Sequence, residues 1–79
     1  MNGNEVKCRY LAIESRIGPR ITYGIAAVDA VEGEIAVLES YPDVSCSREQ
    51  METFAALCNG GDLRLIHFRD ALEDWIAAQ

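Results

Sequence analysis

The sequence predicts an α+β fold: a three-stranded antiparallel meander followed by two helices packed on one face (β-β-β-α-α). Three observations carry that prediction. Apolar residues recur at a spacing of two through the first half of the chain, and that period changes to a helical one at Ser47. The connections between the strand-like runs are hairpin-short, which leaves an antiparallel arrangement.

Strand one shows Val6, Cys8, Tyr10 and Ala12 alternating with Glu5, Lys7 and Arg9, the pattern of a strand with one buried face. Leu11 and Ile13 then break the polar side, so the later half is expected to be covered on both faces or to lie near an oligomer contact. Ile17-Gly18-Pro19-Arg20 reads as a turn, after which Ile21, Tyr23, Ile25 and Ala27 alternate as strand two. Gly24 inside that strand marks a place where a helix or a backbone approaches closely. Val31-Glu32-Gly33-Glu34 turns the chain again, and Ile35 to Leu38 runs on toward Tyr41 as strand three. Pro42 cannot donate to a ladder, and Asp43 and Ser45 favour turns, so Tyr41-Pro42-Asp43-Val44-Ser45 is expected to end the sheet.

The first helix opens on a capping box. Ser47 can accept from the N–H of Gln50 while the Gln50 side chain reaches back to the N–H of Ser47, with Cys46 and Met51 placed as a hydrophobic staple. Met51, Phe54, Ala55 and Cys58 form its apolar stripe, and Glu49 and Glu52 sit near its positive end. Asn59-Gly60-Gly61 is expected to stop it through left-handed conformations. In the second helix Leu65, Phe68, Leu72, Trp75 and Ile76 make the stripe, opposite Arg69, Asp70, Glu73 and Asp74. The expected organisation is one domain over residues 1–79, with strands within 5–41 and helices at about 47–59 and 65–78.

A chain of 79 residues has room for one core, which at this size hides only about 60% of the unfolded surface and leaves self-association a serious prospect. Lys plus Arg number 7 against 13 for Asp plus Glu, a net charge of −6. That sign repels phosphate backbones and anionic membranes, so neither nucleic acid nor membrane is an expected partner. The longest apolar stretch, Gly24 to Val28, is too short to span a bilayer, and Met1-Asn2-Gly3-Asn4-Glu5 does not read as a secretory signal. Cys8, Cys46 and Cys58 are odd in number with no C-x-x-C pair, so they are expected to pack as small hydrophobes in a cytoplasmic protein.

The strongest polar constellation is His67, Asp70 and Asp74, which can share one face of the last helix. A metal would require a further ligand, and acidic residues early in a helix are favoured by its dipole in any case, so no metal and no cofactor is assigned. No motif activates a Cys or Ser hydroxyl or thiol as a nucleophile, and Glu73 with Asp74 does not discriminate a general acid and base in so acidic a chain. No catalytic residue is assigned and enzyme activity is not expected. Trp75 falls on the packing stripe, and Arg69 with Glu73 makes a weak surface pair.

Thr22-Tyr23-Gly24-Ile25, Asp43-Val44-Ser45, Cys58-Asn59 and the run from Leu65 to Ile76 together resemble a family of short uncharacterised bacterial proteins with a domain of unknown function, associated with Gram-positive anaerobes. The chain departs from that family's pattern near Leu65, where a proline is usual, and near Trp75, where a smaller aromatic is usual. The resemblance implies a bacterial, cytoplasmic origin and carries no site residue. The expected function is therefore a small non-catalytic protein-interaction or regulatory module, with a small-ligand or metal-binding protein using His67, Asp70 and Asp74 as the alternative. A homodimer is expected through the sheet, with strand one as its contact.

Overall fold

A computed structural model describes residues 8–31 and 34–79; the expectations placed on Glu5, Val6, Lys7, Glu32 and Gly33 lie outside these. The order is β1 (Arg9–Ile17), β2 (Arg20–Val31), β3 (Glu34–Ser45), α1 (Arg48–Gly60), a 3-10 turn (Leu65–His67) and α2 (Phe68–Ala77). The three strands form one antiparallel sheet in the order β1-β2-β3, with the helices after it in sequence. The β-β-β-α-α architecture is thus the one the hydrophobic periods predict.

Register assigns the paired, described strand residues to a face, because directly paired residues project the same way. Tyr10 pairs with Ala27 and Ala12 with Ile25, and Ile25 pairs in turn with Tyr41. These are the residues under the helices. Tyr10, Ile25 and Ala27 join Met51, Phe54, Ala55, Cys58, Phe68 and Leu72 in the core. Phe68 is its centre, with ring centroids 4.9 Å from Tyr10 and 5.2 Å from Tyr41. The α1 stripe is buried as the spacing requires. In α2 the stripe is narrower: Phe68 and Leu72 are buried, Trp75 is half-buried against Phe54, and Ile76 is exposed.

The β1–β2 turn leaves Ile17 paired with Arg20, and Gly18 takes φ 61, a region glycine enters without a Cβ penalty. Strand β3 departs from expectation, since it continues through Pro42 to Ser45. Between the pairs Ile25–Tyr41 and Tyr23–Ser45 it bulges, with Asp43 at φ 57. Pro42 is tolerated because β3 is an edge strand, where a missing N–H breaks no necessary ladder bond. Gly24 is the residue this bulge requires. A Cβ on Gly24 would stand 2.1 Å from the Tyr41 carbonyl oxygen and 2.7 Å from Pro42 Cα.

The helix ends also differ in detail from the sequence reading. Gln50 N–H does donate to Ser47 Oγ, at 3.2 Å. The return bond is relayed: Ser47 N–H donates to Ser45 Oγ at 2.9 Å, and Ser45 Oγ–H donates to Gln50 Oε1 at 2.8 Å. Cys46 is exposed and does not complete a staple over buried Met51. At the other end Asn59 and Gly60 remain helical, and the left-handed residue is Asp62, at φ 50.

Candidate functional site: the open face of the sheet

Residues alternating with the core positions project away from the helices. On β1 these include Leu11 and Ile13, on β2 Ala26 and Val28, and on β3 Ile35 and Val37. Leu11 pairs with Ala26 and Val28 with Val37, so the apolar residues run across all three strands in adjoining rows. A second bulge, between Ala27–Glu39 and Val28–Val37, places Leu38 as the extra residue at the margin. Ile35 is 70% exposed, Val37 63% and Leu11 42%, whereas Ala26 and Val28 on the central strand are buried. Side chains this apolar gain nothing from water, and a contiguous group of them marks a contact surface more strongly than any single exposed leucine.

Register also sorts the charge. Glu14, Asp29 and Glu39 fall on the helix-bearing face, opposite Tyr23, Ala36 and Ala27, and Glu34 shares that face with Ala36. The open-face positions of the paired, described residues carry no carboxylate; their charged members are Arg9 and Arg20, at the two ends of the β1–β2 ladder. Among the paired, described strand residues the carboxylates therefore lie on the helix-bearing face.

The outer edge of β1 is closed at one point. The Asn59 carboxamide accepts from Tyr10 N–H and donates to Tyr10 C=O, both at 2.9 Å, so a side chain from α1 takes the place of a neighbouring strand. The Tyr10 hydroxyl donates to the Leu63 carbonyl at 2.7 Å. Sequence reasoning missed this role of Asn59, because Asn-Gly-Gly reads as a helix stop and the partner lies far away along the chain.

His67, Asp70 and Asp74 are all exposed. His67 ends the 3-10 turn and offers α2 no side-chain cap, while Asp70 lies in the first turn of α2. Among the described residues no group of three or more His, Cys, Asp or Glu stands together as a metal ion requires. Arg69 and Glu73 make the expected exposed pair at 3.5 Å. Among the described residues no helix is long and apolar enough to cross a membrane.

The full length of this arrangement, from the strands through the last helix, coincides with a family match over residues 1–78. The chain belongs to DUF6514, a family of unknown function. It matches no curated protein and no solved structure. Membership in DUF6514 thus fixes kinship without supplying a ligand or a reaction, and the geometry of the sheet is what a functional reading has to stand on.

Proposed function

We propose that this DUF6514 protein is a non-catalytic interaction module that works through the open face of its sheet, and that the partner on this face is a second copy of the chain. The observation that carries the reading is the coincidence of apolar exposure and charge sorting on one surface. Two acidic chains repel one another. Placed back to back through the open faces, they would keep Glu14, Asp29, Glu34 and Glu39 on the far sides of their sheets while Leu11, Ile13, Ile35 and Val37 leave water.

The closure of the β1 edge by Asn59 favours face-to-face association over the strand-one edge contact that the sequence suggests. The reading includes a bacterial cytoplasmic setting, supported by the family resemblance of the sequence and by three thiols without a C-x-x-C pair.

Two charge substitutions test it. Val37→Lys puts a cation in the open face at a 63% exposed position, and Leu57→Lys puts one at a 61% exposed position on α1. Both variants are expected to fold. In sedimentation runs Val37→Lys should be monomeric where the unsubstituted chain is dimeric, while Leu57→Lys should dimerise normally. Equal behaviour of the two variants would remove the open face from the reading.

A further inference from the structure

Two of the three thiols converge on one residue. Cys8 lies two positions before Tyr10 and packs against the core group that contains Cys58. Cys58 is buried on α1 and directly precedes Asn59, whose carboxamide holds both backbone polar groups of Tyr10 at 2.9 Å. Leu63, whose carbonyl accepts the Tyr10 hydroxyl, donates its own N–H to the Cys58 carbonyl at 3.0 Å. The start of β1 and the end of α1 are thus bound together around a single tyrosine, with buried Cys58 in the same core group and half-exposed Cys8 packed against that group. Cys46 is exposed at the opposite end of α1, with its sulfur 3.8 Å from an Arg20 guanidinium nitrogen.

We propose that Cys8 and Cys58 are an oxidisable pair that closes into an intramolecular disulfide under peroxide and locks β1 to the end of α1. The Cys8 thiolate, the more accessible of the two, attacks one oxygen of hydrogen peroxide; the O–O bond breaks and leaves Cys8 as a sulfenic acid, with hydroxide departing. Cys58 sulfur then attacks Cys8 sulfur. Cys58 gives up its proton to solvent, the S–S bond forms, the S–O bond breaks, and the departing hydroxide takes a proton from solvent and leaves as water. Two thiols and one peroxide become one disulfide and two waters, so no further reductant or oxidant enters. Burial, with Cys8 nearby as a smaller cause, pushes the Cys58 thiol up to about 11. The second step is consequently slow near neutrality and quickens with pH.

The test uses the full chain carrying Cys46→Ser, which removes the exposed thiol and its intermolecular products. Hydrogen peroxide is added, free thiols are alkylated in denaturant, and the products are read by mass spectrometry. The expected product is a monomer about 2 Da lighter, with neither Cys8 nor Cys58 alkylated and one disulfide-linked peptide pair. Closure should quicken roughly tenfold per pH unit between neutrality and pH 9, following the thiolate fraction of Cys58. Adding Cys58→Ser should stop the reaction at a Cys8 sulfenic acid that dimedone traps. Accumulation of Cys8 sulfinic acid while Cys58 remains open to alkylation would overturn the pairing. So would a closure rate indifferent to pH.

Discussion

The side chain of Asn59 completes the sheet at Tyr10 by pairing with both of its backbone polar groups, each bond 2.9 Å long. A helix residue does here what a fourth strand would otherwise do. The bracket joins the last turn of α1 to the outer edge of β1 across most of the sequence, so the two halves of the chain are fastened at their margin as well as through the core.

Asn59→Ala should destabilise the chain by about 1–3 kcal/mol, since it leaves a partly buried N–H and C=O without partners. Asn59→Asp separates the two bonds, because a carboxylate can accept from Tyr10 N–H but cannot donate to its carbonyl. Urea unfolding of the three proteins should place the aspartate variant between the other two or below both.

Gly24→Ala should cost more than about 3 kcal/mol, at the upper end of overpacking effects. The obstacle is backbone, with the Tyr41 carbonyl oxygen 2.1 Å from the added Cβ. Gly18→Ala offers the contrast: nothing lies within 4 Å of its Cβ, and only the φ of 61 opposes it, a cost of about 1–2 kcal/mol. Thermal unfolding should rank the two in that order.

Phe68→Ala should cost about 3–5 kcal/mol, the range for emptying a buried aromatic site. The Phe68 side chain is fully buried between Tyr10 and Tyr41. Trp75→Ala should cost less, because Trp75 is only half-buried against Phe54. A larger loss at Trp75 than at Phe68 in denaturant unfolding would contradict the packing described for α2.

Much of this was legible in the sequence because burial and periodicity coincide in small folds. Tyr10, Ile25 and Ala27 sit where a period of two puts them, and Met51, Phe54, Ala55 and Cys58 where a helical period does. Gly24 was readable as a close approach, although only the structure identifies the β3 bulge as the thing approaching. Ile76 satisfied the helical spacing yet is exposed, since α2 meets the sheet mainly through Phe68 and Leu72. Pro42 points to the end of the sheet because a proline forbids a central strand, but it does not forbid an edge. Asn59 was illegible for a different reason: a polar side chain whose partner lies 49 residues away leaves no local pattern. His67, Asp70 and Asp74 show the converse, a local pattern that the fold does not gather into a metal-holding group.

Alkaline pH should weaken the fold. Burial raises the Cys58 thiol from 9.0 to about 11, and burial, followed by the neighbouring Cys8, raises the Tyr10 hydroxyl as well. Each group holds its proton more tightly folded than unfolded, so the native state binds more protons once the unfolded chain begins to titrate. The stabilisation is fully present below about pH 9 and is lost as pH climbs from there through about 11. Under reducing conditions, urea midpoints should be level from pH 7 to 8.5 and fall above that, and Cys58→Ala should flatten part of the fall.

Association of two chains through the open face, as proposed, is tested most directly by sedimentation equilibrium across micromolar loading concentrations. Reversible association should raise the weight-average mass from the 8.7 kDa of one chain toward twice that value. Added salt should strengthen the association by screening the net charge of −6. A mass of 8.7 kDa at every concentration, with and without salt, would contradict the account.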